Sequence, residues 1–164
     1  RGDLFSPSRR STWSPRGQTP VLQYHFRWNM LSAIAGITLW RFYFRLFPGA
    51  IRSPQAVEFL QHLLRHVPGQ LLIIWDGLAV HRSRLVRELV DAQDGRITLE
   101  RLPAYAPELN PVEYIWGHWK HHELPNLCAK DFGDLSVHAR RALRRMRRRP
   151  ALVEAFWHQA GLFD

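Results

Sequence analysis

The sequence predicts an α/β layer fold with at least one parallel strand pair. Three observations carry this: a β-rich stretch over residues 21–47, the continuous apolar run LLIIW at 71–75, and strand–helix–strand alternation from residue 53 onwards. In that order a helix crosses back over the sheet and leaves its two strands parallel. With 164 residues, 46% of them hydrophobic, the chain suffices for one domain with a sizeable core and is too apolar for wholesale disorder.

Residues 1–20 are rich in Ser, Pro, Gly and Arg and read as a loop or an irregular strand. Trp40, Phe42, Phe44 and Leu46 alternate with Arg41, Tyr43 and Arg45, the period of a strand with one wetter face. Residues 30–38 are more uniformly apolar and are expected to form its more buried antiparallel neighbour. Ser53 as cap and Pro54 at the first helical position open a helix. Its Val57, Leu60, Leu64 and Val67 share a face, and Pro68-Gly69 stops it. The LLIIW run suits a strand buried on both faces. A second helix is expected over 83–92, with Leu85, Val86, Leu89 and Val90 on one side. Asp94-Gly95 then turns the chain into a short strand at 97–99. Residues 103–111 form a proline-punctuated loop, 111–121 a helix, and the chain from Asp131 on is helical with an arginine-rich face.

The net charge of +9 is uneven. Residues 140–149 hold seven arginines and no acid, and residues 4–57 hold another seven and no acid. Two such blocks suggest a polyanionic partner, of which nucleic acid is the commonest; a solvated basic face with a loose tail explains the charge as well. The single cysteine, Cys128, excludes an internal disulfide framework and a cysteine-rich zinc site. The longest uncharged apolar stretch, residues 30–40, has 11 residues, whereas a membrane span needs about 20. No secretory signal is visible at the first residues, so no membrane partner and a cytoplasmic location are expected.

Asp76 directly follows the LLIIW strand, and ligand sites in open α/β sheets form at the carboxyl ends of strands. A carboxylate there is placed to hold a divalent metal, although Asp76-Gly77 also reads as a plain turn. Glu113 has the same ambiguity. Asn110 is a good N-cap, Pro111 suits the first helical position, and Glu113 stands where a capping-box glutamate reaches back. Alternatively the helix start aims Glu113 at a metal shared with Asp76. Such hard oxygen ligands suit Mg²⁺ or Mn²⁺. His81 and Asn110 are possible neighbours of the site. The pairs His121-His122 and Trp116/Trp119 read as parts of an amphipathic helix.

The combination is more specific than its parts. Asp76-Gly77-Leu78-Ala79-Val80-His81 follows a strand. Then come Leu102-Pro103-Ala104-Tyr105-Ala106-Pro107-Glu108-Leu109-Asn110-Pro111-Val112-Glu113, Trp116 and Lys120. These segments resemble the DDE catalytic domain of mariner-like transposases, in the bacterial insertion-sequence branch. Residues 9–20 (RRSTWSPRGQTP) are similar to the segment that follows the first catalytic strand of that family. The resemblance covers about residues 4–122. It departs at Gly77, where the family usually has Asn, and at Ala104 and Ala106, where it usually has Pro and Ser.

The resemblance implies a ribonuclease-H-like fold, a mixed five-stranded sheet flanked by helices. It implies two-metal phosphoryl transfer in DNA transposition, with Asp76 as the second acid and Glu113 as the third, both catalytic metal ligands. The first acid is implied ahead of Arg1, with Asp3 out of register. The chain is therefore expected to lack its central first strand and to be the C-terminal portion of a transposase. Residues 1–125 are expected to be a partial catalytic domain and 126–164 a basic helical extension. Arg9, Arg10, Arg16, Lys120, Arg140, Arg141, Arg144, Arg145, Arg147, Arg148 and Arg149 are expected to meet DNA phosphates. The expected partners are DNA, at transposon ends and targets near the nucleoid, and a second subunit or a full-length transposase. Besides the active enzyme, a catalytically dead DNA-binding remnant and a product that never folds stably remain as readings.

Overall fold

The structure is a computed structural model that describes residues 31–103, 106–124, 127 and 129–162. The expectations for Asp3, Arg9, Arg10, Arg16, Ala104 and Cys128 fall outside the described residues. Strands β1 (Leu31–Ile37) and β2 (Phe42–Pro48) form an antiparallel hairpin in which Leu31 faces Pro48 and Ile37 faces Phe42. The hairpin is the one expected, but burial is reversed. Phe42, Phe44 and Phe47 of β2 are buried, whereas β1 after Leu31 is only half-buried. The reason is cover: helix α4 (Phe132–Arg147) packs on β2, whereas β1 meets the shorter α3 (Pro111–His118).

Helix α1 (Ser53–His66) begins one residue earlier than its composition suggests. Arg52 is the N-cap, and the Gln55 side chain reaches back to the Arg52 N–H at 3.0 Å. Its buried face is Ala56, Phe59, Leu60 and Leu63 rather than Val57, Leu60, Leu64 and Val67. Phe59 and Leu63 lie over Gly36 of β1, while Ala56 and Leu60 pack towards Val86 of α2 (Arg84–Asp91). One helix thus roofs both halves of the molecule. Strand β3 (Leu71–Trp75) pairs in parallel with β4 (Ile97–Arg101), Leu71 facing Ile97 and Trp75 facing Arg101. Ser83 caps α2, and Asp94 and Gly95, both at positive φ, make the turn into β4.

LLIIW is not buried on both faces. Ile73 and Trp75 pack under α1 and α2, but Leu72 and Ile74 are 63% and 56% exposed. Helices cover one side of this parallel pair, and no described element covers the other. The four strands form two separate two-stranded sheets among the described residues. After α3 the helix widens into a short π-helical turn, Trp119–Glu123. Asp131 caps α4, and α5 (Pro150–Gln159) follows. Ile115, Trp116 and Trp119 share one apolar cluster with Phe42, Phe44, Leu143, Met146, Val153 and Phe156. Each such fully buried side chain contributes about 1.5–3 kcal/mol. The terminal apolar residues therefore dock onto the core, and Trp157 donates its indole N–H to the Thr38 carbonyl at 3.0 Å. No helix among the described residues is long and apolar enough to cross a membrane.

Candidate functional site

Asp76 sits where β3 ends, held by its own neighbours. The Leu78 N–H donates to Asp76 Oδ1 at 3.2 Å, an Asx turn that fixes the carboxylate over the strand end. His81, at 11% side-chain exposure, lies on a 3₁₀ turn (Ala79–Arg82) that folds it back. Its Nδ1 is 3.1 Å from the Asp76 carbonyl oxygen, the better-aligned acceptor, and 3.0 Å from Oδ1. Trp75 completes the mount: its ring stacks on the imidazole, centroids 4.0 Å apart and planes within 3°. Composition alone does not single out Trp75. An aromatic ring immediately before a strand-end acid was the available signal.

The His81 contact holds the Asp76 carboxyl below its ordinary value, assisted by the Leu78 N–H and opposed by partial burial. Asp76 is therefore ionised at neutral pH. With the folded value depressed, its contribution to stability is complete above the ordinary carboxylate range and is lost as pH falls through the depressed value. Oδ2 has no hydrogen-bond partner among the described residues.

Glu113 stands on the third residue of α3. Asn110 caps that helix, its side chain accepting from the Val112 N–H at 3.1 Å. The Asn110 N–H, which a capping-box glutamate would take, donates instead to Pro107 O at 3.0 Å. So the Glu113 carboxylate is exposed and, among the described residues, unengaged. The Leu102 N–H donates to Trp75 O at 2.9 Å. The chain leaving β4 towards α3 therefore starts alongside the strand end that carries Asp76. The structure joins His81 to Asp76. No group of three or more His, Cys, Asp or Glu side chains among the described residues is arranged to hold a metal ion. Each of the two carboxylates keeps an oxygen that the fold does not use, the donor type a hard divalent cation takes. The contact the structure gives Asp76 is with His81, not with Glu113.

The arginine-rich segment divides by partner. Arg145 and Arg149 face Glu123, whose side chain is only 7% exposed; Arg145 donates through Nη2 and, at 2.8 Å, through Nε. Arg147 lies 5.8 Å over the Phe44 ring. Arg140, Arg141, Arg144 and Arg148 line a shallow groove beside Val137, and Arg145 and Arg149 line it too while facing Glu123. Glu123 was not foreseen as an internal acceptor, because it lies 22 residues from Arg145. Lys120 is half-buried on the π-helical turn.

His118 has a buried Nε2 that is 3.9 Å from Glu123 Oε1, beyond hydrogen-bond reach. Burial lowers its pKa, as do His122 and Arg149, while Glu123 opposes. Burial and His66 likewise lower His62. Depressed histidines contribute stability that is complete above the ordinary value of 6.5 and is lost as pH falls through the folded values. The melting temperature is accordingly expected to drop between about pH 7 and pH 5. His118→Leu should show a smaller drop in the same melts. An equal drop would remove His118 from the account.

A DDE superfamily endonuclease family model matches residues 5–147. The crystal structure of the Mos1 mariner paired end complex with Mn superposes with a TM-score of 0.67 at 18% identity, over 96% of this chain and 49% of that one. The Mos1 strand transfer complex gives 0.63 at 16% identity, over 96% and 48%. The catalytic domain of Mos1 mariner transposase gives 0.50 at 18% identity, over 80% and 74%. The chain thus spans about half the length of the Mos1 chains in the two complexes. A stretch of 42 residues is 45% identical to the uncharacterised protein y4pE/y4sA of Sinorhizobium fredii, covering 26% of this chain and 31% of that protein. The likeness to Mos1 shows the fold, a ribonuclease-H-like mixed α/β domain.

Proposed function

This chain belongs to the DDE superfamily endonucleases, and from that premise we propose that it is the catalytic portion of a DNA transposase, with Asp76 and Glu113 as metal-holding carboxylates. The observation that carries the reading is the state of those two side chains. Both lie inside the matched span, one at a strand end and one at a helix start. Each has carboxylate oxygen that the fold does not consume.

Mg²⁺ or Mn²⁺, which Asp76 and Glu113 would hold, would supply Lewis acidity for phosphoryl transfer. The residues of the chain do the rest. Asp76 and Glu113 hold the cations. His81 and Trp75 keep Asp76 oriented, and Asn110 fixes the helix start that presents Glu113. Arg140, Arg141, Arg144 and Arg148 meet DNA phosphates, with Lys120 and Arg9, Arg10 and Arg16 as further contacts. Arg145, Arg147 and Arg149 are partly spent on Glu123 and Phe44 and contribute less. Residues 1–125 form the catalytic part and 126–164 a basic extension. Two copies, or one copy with a longer relative, engage paired DNA ends at the nucleoid.

The test is incubation of the purified chain with supercoiled plasmid in Mn²⁺, Mg²⁺ or EDTA. Nicking that requires the cation is expected. A binding-only reading draws on the finding that no group of three or more His, Cys, Asp or Glu side chains among the described residues is arranged to hold a metal ion. Salt-sensitive DNA binding without nicking would establish it instead. Absence of DNA binding would overturn both.

His81 is expected to act through Asp76 rather than on DNA. His81→Phe should weaken Mn²⁺ binding by about 10–100-fold, the usual effect of losing an outer partner of a metal ligand. His81→Asn, whose amide N–H can replace the Nδ1 donor, should recover most of it. If Phe and Asn behave alike in Mn²⁺ titrations, the positioning role is wrong.

A further inference from the structure

The tip of the β1–β2 hairpin has no role in the core or in the site described above. Its two central residues are Leu39 and Trp40, and Trp40 is 72% exposed, the most exposed large apolar side chain among the described residues. Tight two-residue turns favour Asn, Asp and Gly, so Leu-Trp is not there to make the turn. Nor is the tip a loose end. Thr38 donates to the Arg41 carbonyl through both its N–H and its Oγ1, each at 2.8 Å. The Thr38 carbonyl is taken by the Trp157 indole of α5 at 3.0 Å. The fold therefore fixes the turn from two sides while projecting an indole into water. Arg41 beside it is exposed, and no acid occurs anywhere in residues 4–57 to offset the charge.

We infer that Leu39, Trp40 and Arg41 form a stacking site for an unpaired base of a nucleic-acid strand, Trp40 giving the platform and Arg41 pairing with an adjacent phosphate. The inference rests on the reading of the chain as a DNA-acting protein and adds to it the kind of DNA engaged, one with a splayed or single-stranded nucleotide. Two features select this occupant over a protein. One tryptophan offers about 150–250 Å², whereas a stable protein interface needs about 800 Å² from each partner. A single base needs no more than one ring face and a neighbouring cation.

The experiment compares a blunt labelled duplex with the same duplex carrying a single-stranded 3′ overhang, by fluorescence anisotropy. The wild-type chain, Trp40→Ala and Trp40→Phe are titrated, and circular dichroism melts check that the variants fold. The wild type should prefer the overhang. Trp40→Ala should lose about tenfold to a hundredfold on the overhang and bind the blunt duplex as before, and Trp40→Phe should keep most of the preference. Equal binding by Trp40→Ala and wild type, or an equal loss on both DNAs, overturns the stacking site and leaves the transposase reading intact. A wild type that binds neither DNA overturns both. Self-association that disappears in Trp40→Ala, seen by light scattering, would assign the tip to a second copy and overturn the base site.

Discussion

Asp76→Asn and Glu113→Gln are each expected to abolish metal-dependent strand cleavage and to weaken Mn²⁺ binding by more than the roughly 100-fold upper range of an outer-partner loss. Each amide keeps the shape of the side chain and removes the anionic oxygen that a hard cation requires. Neither change touches the core: the Asp76 side chain is 40% exposed and Glu113 is exposed. The Glu113 variant should therefore melt within about 0.5 kcal/mol of the parent. Asp76→Asn should lose somewhat more, because His81 no longer faces a charged carboxylate. DNA affinity should hold or rise slightly, since each variant removes one negative charge from the proposed site. Calorimetric Mn²⁺ titration, plasmid nicking and anisotropy read the three quantities separately. Wild-type cleavage surviving in either variant would remove that residue from the site.

What could be read beforehand was whatever local chemistry decides. Asn110 caps its helix as expected, and helices start at the expected Ser83 and Asp131, which cap them. Asp94-Gly95 turns because its backbone enters the left-handed region, whereas the cap expected at Ser53 falls to Arg52. Three things were not local. Helix α1 has two overlapping apolar stripes, and spacing alone cannot choose the arc that meets Gly36 and Val86. Strand β3 carries a run hydrophobic enough for two covered faces, yet the described helices cover one. The arginine run shows nothing of its division, because Glu123 and Phe44 come from other elements. Within the site, Asp76 and Glu113 were legible as alternatives, carboxylate ligand or turn and cap. The Asn110 N–H bonds to Pro107 rather than to the Glu113 side chain, which removes the capping-box alternative and leaves the carboxylate exposed. The stacked Trp75 ring and the convergence of His81 Nδ1 on Asp76 required the folded chain.

Trp119→Ala is expected to be the most destabilising single change, costing about 3–5 kcal/mol. Trp119 is fully buried, and its neighbours come from β1, β2, α3, α4 and α5 through one continuous cluster. Such a cavity cannot close by moving one element. Against a domain total of about 5–15 kcal/mol, the loss takes a large share, and urea unfolding should show it as a lower midpoint. The effect should also reach the site. Trp116 and Trp119 anchor the buried side of the helix that carries Glu113 on its exposed side, so a loosened helix should bind Mn²⁺ less tightly even where the chain stays folded. Trp119→Phe isolates packing from polarity. The indole Nε1 is buried with no hydrogen-bond partner among the described residues. Replacing it with a ring that fills most of the same space therefore forfeits no bond and should cost far less than alanine. If alanine and phenylalanine unfold at the same urea concentration as the parent, the core centred on Trp119 is not what holds α3, and Glu113 owes its position to the Asn110-Pro111 cap alone.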